Sequence, residues 1–482
     1  MSERFDVVIV GSGAGGGVVA GELADRGRTV LLLECGPHRT AADFTRWEAK
    51  ANHDLWWPVR FAPIDAGARG VVALLGARCV GGTTTVNTKV ALRVADHDYA
   101  KWHAASGIVG AGGNAFGAAD LDPHYDRVET RLGVRERTDW KSSVHTVERG
   151  FQALGSHLEP VRSYTDANCM SCGSCLQGCP TNAGKSTLNT YIHDAWASGR
   201  LELRADADVE RVVIEDGEAR GVEYVDADGT RHRVEAGVVV VAAGTLNTPQ
   251  LLLRSGVPDS ASSRLIGRNL GFHPVRLVYG LFDEPQDAHM VYPITAHAME
   301  HQRDEDGGFV LEATTIQDPI SFATTLEDEG GPLWGQPLVD AVRRFRHWAG
   351  VLAMVNDDNN GVVALDENGR ETFSANFGPQ EHERLDAALS FSRRVLEAAG
   401  ATTVRWTGIA STHVQGTCRM GSDPARSVLD ADAQSWDVRR LYVGDGSVIP
   451  RTMSVNPSLT IMALADRLAS HLDADPHGYL AA

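Results

Sequence analysis

The first hydrophobic run, Val7-Val8-Ile9-Val10, is short, β-branched and continuous, the pattern of a strand buried on both faces. Gly11 ends it. An Ala/Val/Leu-rich helical stretch follows to about Arg26, and a second apolar run, Val30 to Leu33, stops at Glu34. Much later the same order returns. Val238 to Val241 is a buried run, Gly244 a turn, and Pro249 lies in the first turn of a helix, which predicts another strand of the same parallel sheet. Leu441 to Val443, then Gly444-Asp445-Gly446-Ser447, then a helix over 457–472 repeats it a third time.

Between these returns the pattern changes. Residues 40–75 carry Trp47, Trp56 and Trp57 without a clear period and read as irregular structure with short helices. Residues 96–160 read as mostly helical, with Asp122-Pro123 as the cap and first turn of one helix. Leu201 to Leu203 and Val209 to Ile214 alternate as strands, and Asp226-Ala227-Asp228-Gly229 closes a hairpin. From Pro274 to about Phe377 the alternating segments Val275 to Leu281, Phe309 to Thr315, Val351 to Val355 and Gly361 to Asp366 predict an antiparallel sheet, followed by an amphipathic helix over 379–400. The predicted class is α/β (α+β overall): a Rossmann-like dinucleotide-binding domain over 1–160, 200–273 and 413–482, a Cys-rich segment over 161–199, and an antiparallel substrate-binding domain over 274–412.

Gly11, Gly13 and Gly16 spell G-x-G-x-x-G between strand and helix. Gly11 suits a tight turn, Gly13 a close approach of a pyrophosphate, and Gly16 close packing of helix on strand. The helix N-terminus offers free N–H groups to the phosphates, and Glu34 stands where a carboxylate accepts ribose hydroxyls and repels a 2′-phosphate. The fingerprint alone does not separate NAD from FAD. Gly81-Gly82-Thr83 adds a second tight, hydroxyl-bearing backbone, and Asn87 can bond a flat cofactor from its edge.

Composition narrows the partners. The chain has 482 residues, 43% hydrophobic, with a net charge of -18, which disfavours nucleic acid. No apolar run is long enough to span a bilayer. The first strand begins without a signal-peptide pattern, and the expected compartment is the cytoplasm. Seven cysteines argue against a complete disulfide framework. Cys169, Cys172, Cys175 and Cys179 form C-x2-C-x2-C-x3-C-P, the spacing of a ferredoxin-type cluster. An iron–sulfur cluster, a zinc site and a loop packed without metal all remain open. Ala183-Gly184-Lys185-Ser186 imitates the end of a P-loop, but Cys179 stands where its first glycine belongs.

Taken together, these residues resemble the glucose–methanol–choline (GMC) oxidoreductases. The resemblance runs through the fingerprint and Glu34, Gly81-Gly82 with Asn87, Ala243-Gly244, Gly267-Arg268-Asn269-Leu270, His413-x-x-Gly416-Thr417-Cys418-x-Met420, Gly444 to Ser447, and Asn456-Pro457. It implies FAD, bound non-covalently because Val86 stands where some members carry a flavin-linked His. The cofactor-binding set is then Gly11, Gly13, Ala14, Gly15, Gly16, Glu34, Gly81, Gly82, Thr83, Asn87, Val209, Ala243, Gly244, Asp445, Gly446, Asn456 and Pro457. His413 is the expected base and Asn456 its hydrogen-bonding companion, while His273 and His103 read as ordinary packed histidines. The cysteine stretch is similar to that of long-chain alcohol oxidases and dehydrogenases. The expected chemistry is oxidation of the CH–OH group of a small-molecule alcohol, long-chain or sugar. The alternatives are an electron-relaying dehydrogenase subunit with an iron–sulfur cluster and a transfer partner, and a lyase on the flavin fold. The substrate, the electron acceptor and the oligomeric state are not encoded in any motif.

Overall fold

The computed structural model describes residues 3–65, 70–316 and 318–480. The first strand, Arg4–Val10, lies parallel between Val30–Leu33 on one side and the long strand Arg231–Val241 on the other. Leu201–Arg204 extends the sheet beyond Val30–Leu33. Strand Arg231–Val241 has two kinds of neighbour on its far edge. Its N-terminal half pairs antiparallel with Glu218–Val225, and its last three residues pair parallel with Leu441–Val443. The predicted hairpin and the predicted late closure of the sheet therefore share one strand. Val7, Val8, Ile9 and Val238 to Val241 are fully buried, as a strand covered on both faces by helices must be.

Helices Ala14–Asp25 and Ser458–Ala474 pack on each other over this sheet, with helix Ala118–Leu132 against the second. That last helix starts before Asp122-Pro123. Its cap is Gly117, whose N–H donates to Asp120 Oδ2 at 2.9 Å, and Pro123 lies inside it. Asp122 instead pairs with Arg93, at 3.2 Å.

The second sheet is predominantly antiparallel and has eleven strands. Its centre runs Thr403–Thr407, Val275–Leu281, Trp348–Val355, Phe309–Thr314, Ile294–Ala298. Arg60–Pro63, Val71–Leu74 and Glu159–Pro160, far earlier in the chain, hydrogen-bond into it. Strand Gly361–Leu365 belongs to a separate small sheet with Arg268–Leu270 and Glu371–Ser374. Helix Pro379–Ala398 covers one face of the large sheet. The two faces differ. Phe309, Leu311, Ala313, Val351, Ala353 and Val355 belong to a large core, whereas Val310, Met354 and Val275 form a small apolar cluster on the other side. The predicted α/β class with an antiparallel second sheet is what the chain adopts. Among the described residues no helix is long and apolar enough to cross a membrane.

Candidate active site

The glycines of the fingerprint divide into two kinds. A Cβ on Gly15 would sit 1.6 Å from the Gly444 carbonyl oxygen, and one on Gly16 would sit 1.9 Å from the Gly11 oxygen. These two positions are closed by backbone. Gly11 itself has φ +95° and faces the Ala242 carbonyl, so it turns the chain and packs it at once. Gly13 is different: the only heavy atom near its missing Cβ is Gly82 Cα, at 4.0 Å. Gly244, at φ +89°, meets nothing within 4 Å. Gly13 and Gly244 thus leave open space beside the first turn of helix Ala14–Asp25, whose leading N–H groups no helical carbonyl can satisfy. This is the cradle a pyrophosphate needs, and a dinucleotide fits the residues present.

Glu34 is held at the far end of that cradle. Its Oε2 accepts from Ser12 N (3.0 Å) and Ser12 Oγ (2.7 Å), and its Oε1 from Gly36 N (2.9 Å). Burial raises its pKa, and the Ser12 and Gly36 donors oppose that rise. Ser12 Oγ in turn accepts from Gly81 N at 2.9 Å, which ties the fingerprint to the Gly81-Gly82-Thr83 turn. Ala207 N donates to the Glu34 carbonyl, at 2.9 Å, and this brings Val209 near the same end. Asn87 is already engaged: its amide donates to the Tyr164 hydroxyl at 2.6 Å. Asp445 is engaged as well. Its carboxylate accepts from Ser447 N, Gly244 N and Thr248 Oγ1 at 2.8, 2.9 and 2.5 Å, so this side chain clamps two turns together. Gly446 and Pro457 follow in the same segment, and Ala243 precedes Gly244 at the end of the long strand.

The C-terminal segment also carries His413 and Asn456. His413 follows the short strand Ala410–Ser411, and Gln415 Nε2 donates to its carbonyl at 3.0 Å. Its ring is half-buried, and among the described residues Nδ1 has no hydrogen-bond partner. Burial lowers its pKa to about 4, so the imidazole is neutral at pH 7. Asn456 is buried beside the small apolar cluster, with Nδ2 3.7 Å from Met354 Sδ and Oδ1 without a partner.

Two further groups meet here that the pattern did not mark. The ring of His273 lies 5.3 Å from that of His413, fully buried, with both nitrogens unpartnered. Burial, then His413 and Lys101, drive its pKa well down. It is therefore not an ordinary satisfied packing histidine. Its backbone has φ +46°, which nothing in the local sequence announces. Glu312 is the other: it is 0% exposed, and among the described residues neither oxygen has a geometric hydrogen-bond partner. A lone acid inside the buried run Phe309–Thr314 was the available signal.

The cysteines do not assemble as their spacing predicts. Among the described residues no group of three His, Cys, Asp or Glu side chains is placed to hold a metal ion. All seven thiols are free. Burial works to raise the Cys179 thiol, but the Thr181 hydroxyl, the Gly184 N–H (3.2 Å from Sγ) and Lys89 outweigh it. Cys175 is buried and pushed up to about 12. Lys89, itself buried and lowered to about 8, lies beside these thiols and binds the carbonyls of Thr84 and Thr85. Lys89 thus lies between the knuckle and the Gly81–Thr85 turn, and with no three of these side chains placed to hold a metal among the described residues an iron–sulfur cluster does not fit this arrangement.

Comparison with known proteins places this architecture. The sequence profile of the GMC oxidoreductase family matches residues 5–275, and its C-terminal counterpart matches residues 366–465. A long-chain-alcohol oxidase of Arabidopsis thaliana, FAO4B, is 30% identical over 97% of this chain and 67% of its own length. A 2-methyl-1,2-propanediol dehydrogenase of Mycolicibacterium austroafricanum is 29% identical over 98% of this chain and 95% of its own. Among solved structures, pyridoxine 4-oxidase from Mesorbium loti superposes with a TM-score of 0.74 at 18% identity, covering 98% of this chain and all of that one. A formate oxidase of Aspergillus oryzae, studied for FAD modification, superposes equally well, at 0.74 and 15% identity over 99% of each chain. The chain belongs to the GMC oxidoreductases, and it is an FAD-dependent enzyme that oxidises the CH–OH group of an alcohol.

Proposed function

We propose that the substrate is an alcohol with an apolar carbon chain, and that His413 and Asn456 handle its hydroxyl. The observation that supports this is that Asn456, buried with Oδ1 unpartnered among the described residues, lies against an apolar floor, while His413 Nδ1 is unpartnered as well. Asn456 touches Met354, and Met354 clusters with Val275 and Val310, with Met299, Leu352 and Ala410 packed around them. An apolar wall of this kind favours a hydrocarbon chain over a sugar, whose hydroxyls would go unpaired there.

The parts divide as follows. Gly13, Gly244 and the start of helix Ala14–Asp25 hold the pyrophosphate of FAD, and Glu34 faces the ribose. FAD, when bound, supplies the two-electron acceptor that no side chain can provide. His413, neutral because its surroundings disfavour the charged form, takes the hydroxyl proton. Asn456 Nδ2, 3.7 Å from the weakly accepting Met354 sulfur, donates to the alkoxide oxygen as charge builds there. The Gly444 carbonyl packs against Gly15, so the segment that carries both side chains is seated on the cofactor-binding helix.

The test is anaerobic. Primary alcohols of increasing chain length should bleach the flavin absorbance, with rates rising with length, and glucose should not. In His413→Ala the bleaching should slow by about 10²-fold or more with FAD still bound. Equal rates for glucose would overturn the substrate class, and unimpaired bleaching in His413→Ala would overturn the base.

A further inference from the structure

A short antiparallel pairing sets two histidines opposite each other. Gly271 and Gln415 exchange backbone hydrogen bonds in both directions, each 2.9 Å long. Two residues on from Gly271 is His273, two residues back from Gln415 is His413, and their rings stand 5.3 Å apart. Two residues further, Val275 pairs with Ala410, one residue out of that register. His273 takes up the slip with φ +46°. A side chain other than glycine keeps such a conformation only where its surroundings impose it.

One side chain grips the backbone on the N-terminal side of that φ. Asp357 lies in the turn between strands Trp348–Val355 and Gly361–Leu365 and is 4% exposed. Its Oδ2 accepts from Phe272 N at 2.7 Å, and its Oδ1 accepts from His273 N at 3.3 Å. The carbonyl of the Phe272–His273 peptide is held as well. Ser411 Oγ donates to Phe272 O and accepts from His413 N, the latter at 3.3 Å. Asp357, the Phe272–His273 peptide, the Ser411 hydroxyl and the His413 backbone are thus joined in one unbroken run of hydrogen bonds. The turn itself is anchored two residues later. Asn359 donates to Asn269 O at 3.0 Å and accepts from Thr452 N at 2.9 Å, so Asp357 is held against the segments before His273 and before Asn456.

We propose that Asp357 is a positioning residue for His413: its two carboxylate oxygens fix the Phe272–His273 peptide, and the Ser411 hydroxyl passes that placement on to the base. This rests on the role given to His413 above. Both oxygens are needed. Asparagine has the same shape but a single acceptor oxygen, and its NH2 group would point at an N–H. Burial raises the Asp357 pKa while the Phe272 and His273 N–H groups oppose the rise, and the group is ionised at pH 8.

The experiment uses FAD-loaded enzyme at pH 8 and follows anaerobic flavin reduction while the alcohol concentration is varied. Asp357→Asn should lower the limiting rate by about tenfold, because a small displacement of a base is costly to proton transfer. The half-saturating alcohol concentration should change by less than about twofold, and the flavin content should not fall. Ser411→Ala, which breaks the run at its other joint, should lose rate in the same way. The decisive arm is the double variant. Once His413 is replaced by Ala there is no base left to position, so adding Asp357→Asn should slow the residual reduction by less than about twofold. A full rate in Asp357→Asn, or a loss that multiplies with that of His413→Ala, overturns the proposal. If Asp357→Asn does not fold, a full rate in Ser411→Ala overturns it. Unimpaired reduction in His413→Ala alone would instead overturn the reading of His413 as the base.

Discussion

His413 and Glu312 illustrate one physical effect with opposite outcomes. Burial disfavours charge, so it lowers a base and raises an acid. His413 is lowered to about 4 and stays an acceptor; Glu312 is raised to about 8 and stays a donor. For His413 the consequence in acid has a definite sign. Its folded pKa lies below the unfolded value of about 6.5, so the unfolded chain takes up the proton first. The stability it contributes is complete above about pH 6.5 and is lost as pH falls toward 4. For catalysis the same depression keeps the base unprotonated in mild acid. The acid limb of kcat/KM should therefore have a midpoint well below 6.5, read from initial rates on a stable plateau of folded enzyme. A limb at 6.5 or above would show that the imidazole is not held as described. The effect is stronger still at His273, ring to ring with His413, where His413 and Lys101 add to burial in lowering its pKa.

At the scale of elements, the strand–turn–helix unit was legible because its constraints are local. A buried β-branched run, a left-handed Gly11 and an Ala-rich helix each follow from neighbouring residues. What was not legible is that the five glycines after Val10 do different work. Gly15 answers to Gly444, more than four hundred residues away, while Gly13 faces open space. The two should part experimentally. Gly15→Ala forces a Cβ into the Gly444 carbonyl and should destabilise the FAD-free protein by about 3 kcal/mol in a urea melt. Gly13→Ala has room for its Cβ and a negative φ of −66°, so its melt should shift by less than about 1 kcal/mol. It should nevertheless bind FAD poorly, seen as a low flavin-to-protein absorbance ratio. Equal loss of stability in the two variants would refute the division. The helix predicted to start at Asp122-Pro123 missed for a related reason: Asp120 reaching back to Gly117 N set the cap, and Asp122 was taken by Arg93.

For the molecule as a whole, the cysteine segment is where local spacing left the outcome open. C-x2-C-x2-C-x3-C-P is a statement about sequence distance, and a cluster needs sulfurs that converge on one point, which no three of these side chains do among the described residues. Here Cys179 Sγ accepts from Gly184 N–H, and buried Lys89 bonds the Gly81–Thr85 turn with its charge beside the thiols. Purified protein should accordingly contain well under one iron or zinc per chain by elemental analysis and titrate as free thiols when denatured. Stoichiometric metal would show that the knuckle rearranges around an ion. The remainder of the chain divides by the range of the forces involved. Hydrophobic periodicity and turn chemistry act over a few residues. They determined the strands, the fingerprint helix, the parallel and antiparallel sheets and the family motifs that carry FAD and alcohol oxidation. Which buried polar groups end up without partners depends on contacts between residues hundreds of positions apart. The pairing of His413 with His273, the full burial of Glu312, and the engagement of Asn87 and Asp445 were decided only when two sheets and a C-terminal segment packed together and excluded water.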